Sequence, residues 1–269
     1  MPELPEVETI RRYLNLKLVN ECIDNLEVLN ESSLRCAKGL SVNDLKNQYI
    51  KSVSRRGKYL NIGLEDYNLV IHLKMTGQIY FNPPIPPINH LRWVLTLKSG
   101  SKIYFRDVRK FGRLFIYPKD DVKYLLAGEI GPEPWEINLS YWQKKLKSRR
   151  SIKTLLLDQK VIAGIGNIYA DEALYRAFIH PKKKCLDLTL KQALDLLKEV
   201  RTVLDCGIRY GGTSFRDYLG GDGKKGNMQD HLLIYQKTGG LCPRCGERIA
   251  KTKVGGRSSH FCPKCQKLD

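Results

Sequence analysis

The sequence predicts a multi-domain α+β protein, in which an N-terminal helix and an antiparallel β-sandwich or barrel precede a helical region and a cysteine-rich hairpin module. Through much of residues 21–117, apolar residues occupy every second position, which is the period of a half-buried strand. Beyond residue 135 they recur every three or four positions, which is the period of a helix. The C-terminal segment carries two Cys-x-x-Cys pairs.

The first residues predict an amphipathic helix that packs on a core. Five apolar residues recur at helical spacing and share one face: Leu4, Val7, Ile10, Leu14 and Leu18. Pro5 suits a first helical turn, where the missing N–H has no partner to lose. The positive end of the helix dipole carries three acidic residues, Glu3, Glu6 and Glu8. We therefore expect these residues to be held in place rather than frayed.

Pro2 has two interpretations. If Met1 is removed, Pro2 presents a secondary amine, and an α-amino group titrates near pH ~8, far below lysine. Such an amine can attack a sugar C1′ to give an iminium, with Glu3 beside it as acid or base. Alternatively, Pro2 and Pro5 only begin a helix. These residues by themselves favour the second interpretation, a helix start.

Alternating apolar residues predict the strands of the N-terminal region. The alternating sets are Leu60, Ile62 and Leu64; Leu69, Ile71 and Leu73; Leu91, Trp93, Leu95 and Leu97; Ile103 and Phe105; and Leu114 and Ile116. The proline-rich stretch 82–90 is predicted to be a connection, because proline cannot join a sheet ladder. Short strands between turn residues are typical of an antiparallel sandwich or barrel.

Residues 128–135 predict a hinge, after which the pattern becomes helical. Helices are expected over 139–147, 152–159, 167–178 and 190–205. For the last of these, Thr189 with Gln192 forms a capping box and Gly207 ends the helix. Residues 211–227 contain six glycines and predict a long loop, which is typically functional or disordered.

The charge predicts a polyanionic partner. Lys and Arg number 46 against 28 Asp and Glu, which gives a net charge of +18. Nucleic acid fits such a surface first and an anionic membrane second, and a merely solubilising basic surface is the alternative. No apolar run approaches the ~18 residues of a membrane span, and no secretory signal is visible. We therefore expect a soluble, cytoplasmic protein.

The eight cysteines form two groups. Cys22, Cys36, Cys185 and Cys206 are scattered and are expected to be reduced thiols. The others form two Cys-x-x-Cys pairs separated by sixteen residues: Cys242 with Cys245, and Cys262 with Cys265. This spacing is typical of a closed, tetrahedral, structural zinc site. Redox pairs or free thiols are the alternative, but the glycine- and arginine-containing interval favours one zinc ion.

Basic residues cluster at two motifs of the C-terminal half. Segment 237–267 holds eight Lys or Arg against one acid, and Arg257 lies at an expected hairpin tip, where it can enter a DNA groove. The glycines of 164–167 precede a helix start, which exposes backbone N–H groups to a phosphate, and Lys153 adds charge nearby in sequence. Asn167 as an ordinary N-cap, and a solvated basic face, are the alternatives.

Turns of the N-terminal half carry further candidates. Lys58, at the start of a strand, is placed to reach a phosphate or a reacting sugar. Met75, and Arg109 with Phe111, lie at turns, where exposed residues of these types are suited to enter a base stack as wedges. Each of them alone also fits an ordinary surface or turn position.

Together and in this order, these motifs resemble those of the bacterial formamidopyrimidine-DNA glycosylases. The resembling segments are 2–9, 56–59, 107–112, 164–172 and 256–266. The resemblance implies a β-sandwich catalytic domain over 1–130, a helix–two-turns–helix DNA-binding domain over 131–232 and a zinc finger over 233–269. It also implies that loop 211–227 closes over an extruded base.

The resemblance implies specific residue roles. Pro2 would be the nucleophile, Glu3 its acid/base partner and Lys58 an essential active-site lysine. The wedge residues that would fill the gap left by the flipped base are Met75, Arg109 and Phe111. The implied DNA contacts are His90, Arg109, Lys153, Asn167 and Arg257, with Glu6 and Glu172 in supporting positions.

The implied function is base-excision repair by a bifunctional glycosylase and abasic-site lyase. It would excise oxidised purines (8-oxoguanine and formamidopyrimidines paired with cytosine) through a Schiff base and then cut the strand by β,δ-elimination. Leu4 separates this chain from relatives that begin Pro-Glu-Gly-Pro and favour oxidised pyrimidines. Oxidised pyrimidines remain an alternative, because members vary in the lesion loop, and so does a catalytically silent DNA-binding protein.

The expected partner is double-stranded DNA that contains a damaged base. We expect the protein to act as a monomer in a bacterial-type cytoplasm, or in an organelle of bacterial origin. The catalytic expectations require that Met1 be removed, because a peptide bond to Met1 leaves the Pro2 nitrogen without nucleophilic character.

Overall fold

The computed structural model describes residues 1–85, 88–121, 130–215 and 218–268. The chain forms two compact units, of which the first contains Met1–Gly128 and Gly207–Gln229 and the second contains Glu129–Cys206 and Asp230–Asp269. The first break falls within the predicted hinge 128–135, whose residues 128 and 129 lie outside the described part of the chain.

The predicted N-terminal helix is confirmed as α1, Leu4–Leu18. Its five predicted core residues are all buried. Pro5 lies in its first turn, and Glu6 closes a capping box by accepting the backbone N–H of Glu3 at 2.7 Å. The first residues of the chain are therefore anchored by both packing and hydrogen bonding.

Among the described residues of the first unit, nine strands form two sheets. The strands are β1 (Ile23–Val28), β2 (Leu34–Cys36), β3 (Ile50–Arg56), β4 (Tyr59–Leu64), β5 (Tyr67–His72), β6 (Gly77–Phe81), β7 (Leu91–Leu97), β8 (Lys102–Asp107) and β9 (Arg113–Pro118). One sheet has the order β1-β7-β8-β6 and the other β2-β9-β5-β4-β3. All predicted alternating sets fall on these strands or at their ends, and no strand occurs in the described residues of the proline-rich stretch.

The two sheets enclose one core, so the fold is a sandwich rather than a barrel. Residues of both sheets and of α1 belong to a single buried cluster. At its centre Trp93 and Phe105 stack with ring centroids 5.1 Å apart. The prediction of an antiparallel sandwich holds except at β2, which pairs with β9 in parallel and forms a short edge strand.

Segment 207–229 packs with the first unit, although the predicted boundaries place it in the helical domain. Tyr218 belongs to the sandwich core, and its hydroxyl donates to the backbone oxygen of Glu6 at 3.2 Å. Residues 211–215 and 218–227 contain neither helix nor strand, in agreement with the predicted loop. Tertiary packing onto α1, which sequence periodicity does not report, decides where this loop belongs.

The predicted helices begin in the second unit, which contains all of them except the last three residues of the fourth. They are α2 (Leu139–Leu146), α3 (Ile152–Leu156), α4 (Asn167–Arg176) and α5 (Leu190–Arg209). The capping box of α5 is present, because Gln192 N–H donates to Thr189 Oγ1 and Thr189 N–H donates to Gln192 Oε1. The prediction that Gly207 ends this helix is wrong, since the helix continues to Arg209 and positive φ angles begin only at Gly211.

The second unit ends in the hairpin β10 (Ala250–Val254) and β11 (Arg257–Phe261). The two strands pair in register from Ala250 with Phe261 to Val254 with Arg257, so residues 255 and 256 form the turn. Both turn glycines have positive φ, as a two-residue hairpin turn requires. Within the described part of the chain, no helix combines the length and hydrophobicity needed to span a bilayer.

A charge cluster on Glu8 joins α1 to the sheet. The Glu8 carboxylate pairs with Arg11 at 2.7 Å, with Arg12 at 2.8 Å and with Arg55 of β3 at 3.1 Å. Burial alone raises the pKa of Glu8, but the hydrogen bonds from the three guanidinium groups outweigh it, so the pKa is lowered. The folded state therefore favours the ionised carboxylate.

We predict that Glu8→Gln lowers the free energy of unfolding by about 1–3 kcal/mol at pH 7, because three cations lose their common anion. The folded-state pKa lies below the ordinary value of 4.5, so this contribution is complete above that pH and is lost as the pH falls through the folded-state pKa. Urea unfolding of both proteins at pH 7 and at about pH 3.5 measures the difference. Exposed Glu27→Gln serves as the control, and an equal loss at both pH values would contradict the prediction.

Candidate functional site

The N-terminal end of α1 holds Pro2 and Glu3 in a buried setting. Both residues are buried, and Met1 before them is exposed. Apolar contacts of Leu4 and Val7 below them fix the direction in which the chain enters the helix. This arrangement gives Pro2 a defined position, which a nucleophile needs and a frayed terminus lacks.

Glu6 connects this end of α1 to the glycine-rich loop. Its Oε2 accepts the N–H of Glu3 at 2.7 Å, and its Oε1 accepts the N–H of Thr213 at 2.7 Å. Gly212 has φ +83°, and a Cβ there would lie 2.9 Å from Glu6 Oε1, so glycine is required for this approach. The predicted supporting position of Glu6 thus has a geometric basis.

Backbone contacts join the two ends of the glycine-rich loop, residues 210–212 and 226–228, which together form its neck. Asn227 N–H donates to Tyr210 O at 2.8 Å, and Met228 N–H donates to Gly212 O at 3.1 Å. A Cβ on Gly226 would lie 2.2 Å from Gly212 O, so the two sides of the neck are in direct contact. Residues 216 and 217 of the loop lie outside the described part of the chain.

Lys58 lies in the two-residue turn of the β3–β4 hairpin and is buried. Gly57 before it adopts φ +55°, which allows the tight turn. Arg55 stabilises the turn by donating to Gly57 O at 2.9 Å while it pairs with Glu8 of α1. The Glu8–Arg55 pair therefore ties the hairpin that carries Lys58 to the helix that begins beside Pro2.

His72, which the sequence reasoning missed, lies close to Lys58. Burial, reinforced by the positive charges of Lys74 and Lys58, lowers the pKa of His72 to about 3. The imidazole is therefore neutral at pH 7, and its Nδ1 accepts Lys74 N–H at 2.9 Å, which leaves the proton on Nε2. The ring packs edge-on against Tyr59. A histidine directly after the apolar run Leu69–Ile71 was the available signal.

The predicted wedge residues come together on two adjacent turns. Met75 precedes β6, and Arg109 and Phe111 lie between β8 and β9; all three are exposed. Arg109 Nη1 lies 3.1 Å from Met75 Sδ. His90, a predicted DNA contact, is also exposed and has φ +63°. The first unit thus presents a group of exposed apolar and cationic side chains, as a wedge requires.

Arg257 and Asn167 lie near each other in the second unit. Arg257 is exposed at the start of β11, and the adjacent Gly255 lies against Thr154 of α3. Asn167 is the first residue of α4, and its Nδ2 donates to Ser258 O at 2.9 Å. Gly166 is the N-cap of this helix, so the alternative in which Asn167 is the cap does not hold.

Lys153 lies in a different setting from that of a predicted DNA contact. None of its side chain is exposed, and its ammonium group pairs with Asp171 at 2.6 Å and donates to Ser258 O at 2.8 Å. The Asp171 carboxylate also accepts the backbone N–H of His260 at 2.9 Å. We therefore revise the role of Lys153 to that of a buried cation that holds β11 against α3 and α4. The sequence shows only that Lys153 lies near other basic residues, and it does not show that this lysine is buried.

Glu172 supports the segment that leads into the cysteine module. Its buried carboxylate accepts the backbone N–H groups of Leu233, Ile234 and Tyr235 at 2.9–3.0 Å. Burial raises the pKa of Glu172, while these three N–H groups oppose the shift. The predicted supporting role thus takes the form of ordering residues 233–235.

The four C-terminal cysteines form a compact thiol cluster. Their sulfur atoms all lie within 4.8 Å of one another, with Cys242 and Cys265 at 3.9 Å and Cys245 and Cys262 at 3.5 Å. Tetrahedral Zn–S bonds of about 2.3 Å place sulfurs roughly 3.8 Å apart, so the cluster fits zinc. The separations exclude disulfide bonds, and all four cysteines are free. Four protein ligands close the site, which makes it structural rather than catalytic.

Contacts around the cluster favour the thiolate form of Cys242. Burial raises the pKa of Cys242, but hydrogen bonds from the Tyr175 hydroxyl and from the N–H groups of Arg244 and Cys245 outweigh it and lower the pKa to about 6. The Arg244 guanidinium lies 4.2 Å from the Tyr175 ring centre. A thiolate is the form in which cysteine binds a metal.

Three family models match successive parts of the chain. The formamidopyrimidine-DNA glycosylase N-terminal domain matches residues 1–114, and the formamidopyrimidine-DNA glycosylase H2TH domain matches residues 130–218. The zinc finger found in FPG and IleRS matches residues 239–268. The last match includes all four cysteines, and together with their geometry it establishes one structural zinc site.

Two relatives illustrate the similarity in sequence. The formamidopyrimidine-DNA glycosylase of Pelotomaculum thermopropionicum is 44% identical over 275 residues, which cover 100% of both chains. That of Desulforamulus reducens is 43% identical and covers 99% of both chains. Identity at this level over the full length shows a shared family rather than a shared motif.

Two solved structures of similar chains are complexes with DNA. The Lactococcus lactis FPG mutant G226P bound to a Fapy-dG containing DNA has a TM-score of 0.92 at 37% identity, covering 99% of this chain and 100% of that chain. The Lactococcus lactis Fpg bound to an abasic site containing DNA has a TM-score of 0.91 at 38% identity, with the same coverage. The fold of the whole chain is therefore the fold of those enzymes.

We predict that the purified protein carries about one zinc ion per chain and that Cys245→Ser abolishes stable zinc binding, because three thiolates cannot close the tetrahedral site. Zinc content measured by atomic emission, with Cys36→Ser as control because Cys36 is exposed and outside the cluster, tests this. Limited proteolysis should then cleave residues 233–268 first. Full zinc content in the Cys245→Ser protein would contradict the prediction.

Proposed function

Because the chain belongs to the formamidopyrimidine-DNA glycosylase family, we propose that it is a base-excision repair enzyme that removes oxidised purines and cleaves the DNA strand at the resulting abasic site. The observation that carries this proposal is the buried start of α1, where Pro2 precedes a Glu3 that Glu6 holds by a hydrogen bond, in a chain that matches the family over its full length. A secondary amine in a defined position with an adjacent carboxyl group is suited to Schiff-base chemistry.

The damaged base must first leave the DNA duplex. A base inside a duplex is inaccessible to a nucleophile, and its extrusion costs a few kcal/mol. We assign the compensating contacts to Met75, Arg109 and Phe111, whose exposed side chains would occupy the gap and stack on the remaining bases. The glycine-rich loop, which Glu6 anchors through Thr213, would close over the extruded base.

The chemical steps follow from an amine at C1′. The Pro2 nitrogen forms a bond to C1′ while the glycosidic bond breaks, and the base leaves with a proton. Glu3 supplies and accepts protons as the sugar ring opens and the iminium forms. The iminium acidifies the C2′ proton, so the 3′ phosphate is eliminated first and the 5′ phosphate second. Water then hydrolyses the remaining imine and regenerates Pro2. Lys58 contributes a buried cation near the reacting sugar and phosphate.

The DNA backbone would be held by cations and polar groups of both units. In the first unit we assign contacts to His90 and Arg109, and in the second to Asn167 and Arg257, which lie at a helix start and a hairpin tip. Lys153 and Glu172 act indirectly, by ordering β11 and residues 233–235. The net charge of +18 supports a partner with a high density of negative charge.

We further infer that the protein acts as a monomer on double-stranded DNA in the cytoplasm. The two relatives named above are bacterial, and the two similar Lactococcus lactis structures are bound to DNA. Leu4 favours oxidised purines over oxidised pyrimidines, because the relatives that prefer oxidised pyrimidines begin Pro-Glu-Gly-Pro. The similar Lactococcus lactis complexes contain DNA with Fapy-dG or with an abasic site, which is in accord with this substrate class.

Borohydride reduction during reaction with a duplex that carries 8-oxoguanine opposite cytosine should trap a covalent protein–DNA adduct. We predict that Pro2→Leu lowers the yield of this adduct by at least about 100-fold. The substitution removes the secondary amine, and the large side chain of leucine prevents the removal of Met1. The affinity of this variant for a tetrahydrofuran-containing duplex should change by no more than about 3-fold. Denaturing gel electrophoresis measures the adduct, and mass spectrometry verifies the loss of Met1 from the wild type.

The matched control is Pro5→Ala, which alters the other proline of the same helix start and should leave trapping intact. A parallel duplex with thymine glycol separates the substrate classes, since preferential cleavage there would assign the enzyme to oxidised pyrimidines. Binding of lesion DNA without any adduct, in a protein that begins at Pro2, would instead show a catalytically silent DNA-binding protein.

A further inference from the structure

A single buried carboxylate lies beneath the group of exposed wedge residues. Asp107 is the last residue of β8, and none of it is exposed. Two turns meet at this position, one before β6 that carries Met75 and one after β8 that carries Arg109 and Phe111. Both turns belong to the first unit.

The Asp107 carboxylate binds both ends of its own turn. Its Oδ2 accepts the N–H of Gly112 at 2.7 Å, and its Oδ1 accepts the N–H of Arg109 at 3.2 Å. These bonds bring residues 109 and 112 back towards the end of the strand. The turn that carries Arg109 and Phe111 is thus closed around the carboxylate, although Lys110 between them adopts the left-handed region with φ +61°.

The same carboxylate reaches the second turn through Thr76. The Thr76 hydroxyl donates to Asp107 Oδ1 at 2.5 Å, and its oxygen accepts Arg109 N–H at 3.1 Å. Thr76 follows Met75 directly, so the hydrogen bond fixes the backbone that carries the Met75 side chain. The 3.1 Å contact between Arg109 and Met75 is then a consequence of two turns held by one acceptor.

The backbone of Asp107 makes two further connections. Its N–H donates to the carbonyl oxygen of His90 at 3.0 Å. Its carbonyl oxygen accepts two bonds from the buried Arg92 guanidinium, at 2.8 and 2.5 Å. Two of the candidate DNA-facing residues of the first unit, His90 and Arg109, are thus bonded to Asp107 directly. The other two, Met75 and Phe111, each precede a residue that is bonded to it.

An aspartate is required at this position by chemistry and by space. A carboxylate offers only hydrogen-bond acceptors, and here it accepts from the Thr76 hydroxyl and from the N–H groups of Arg109 and Gly112. The side-chain amide of an asparagine could not accept all three bonds, because its NH2 group is itself a donor. The adjacent Gly112 has no room for a side chain, since a Cβ would lie 2.5 Å from the Phe105 ring and 3.1 Å from Asp107 Oδ2. A longer acid would have to displace one of these turns.

We propose that Asp107 is the positioning residue of the wedge, which holds the Met75 turn and the Arg109–Phe111 turn in one arrangement before DNA arrives. The inference rests on the proposed function and deepens it, because it names the residue that makes base extrusion efficient without touching DNA. An intercalating group placed about 1 Å away from its gap loses most of its effect, so preorganisation of the two turns determines the rate on duplex substrates.

The test compares Asp107→Asn with the wild type on substrates that differ in their need for a wedge. For a duplex with 8-oxoguanine opposite cytosine, kcat/KM should fall by about 10-fold or more, because the base must be extruded and replaced. Borohydride trapping on single-stranded abasic DNA, where there is no stack to fill, should change by no more than about 2-fold. The control is Asp66→Asn. Asp66 lies directly before β5, at the opposite end of that strand from Met75, and its carboxylate also accepts a hydrogen bond, from the side chain of Gln48.

A second readout follows the wedge directly. With 2-aminopurine opposite a tetrahydrofuran site, wild-type binding should change the fluorescence, and Asp107→Asn should reduce that change at saturating protein. This signal needs no covalent chemistry, so it reports on Asp107 even if the trapping experiment shows the protein to be catalytically silent. Equal losses on duplex and single-stranded DNA would show a merely structural role and overturn the proposal, as would an unchanged rate and fluorescence.

Thr76 provides a second variant in case Asp107→Asn does not fold. Thr76→Val removes the hydroxyl that bridges the two turns at nearly constant volume, and it should lower duplex activity and the fluorescence change while single-stranded trapping is preserved. Thr76→Ser restores the hydroxyl and should restore both. If Thr76→Val behaves as the wild type in both measurements, the bridge has no positioning role and the proposal fails.

Discussion

The hydrogen bonds of the Glu6 carboxylate are the interaction on which the catalytic end of the molecule depends. One oxygen accepts Glu3 N–H and the other accepts Thr213 N–H, so residues more than 200 positions apart share one anion. Burial makes the arrangement rigid, because an N–H or carboxylate left without a partner there would be costly. The start of α1 and the glycine-rich loop are thereby ordered together, which links the proposed nucleophile to the loop proposed to cover the base.

The same device recurs at other candidate positions. Asp107 collects the N–H groups of Arg109 and Gly112, Asp171 accepts that of His260, and Glu172 accepts those of residues 233–235. Each carboxylate is buried, and each orders a turn, strand or segment that carries or precedes a candidate functional residue. Candidate functional residues in this fold thus lie mostly on irregular segments whose backbone is held by buried acidic side chains.

Buried charge also separates residues that look alike in sequence. Lys153 and Arg257 both belong to basic clusters, yet Lys153 is enclosed by Asp171 and Ser258 O whereas Arg257 is exposed at a hairpin tip. Lys58 is buried in a turn held by Gly57 and Arg55, close to a neutral His72. Some of the basic residues are therefore buried and stabilise the fold, whereas others are exposed on the surface. A count of basic residues does not distinguish the two groups.

The sequence by itself determined the elements whose signal is local. Leu4, Val7 and Ile10 specify α1 by their spacing, the alternating sets specify the strands, Thr189 and Gln192 specify a cap, and the Cys-x-x-Cys pairs specify the zinc cluster. Only the tertiary structure decided that β2 pairs in parallel, that residues 207–229 return to the sandwich, that α5 passes Gly207 and that Lys153 is buried. Periodicity and propensity report on neighbours a few residues apart, whereas these outcomes depend on burial and hydrogen bonds between segments distant in the chain.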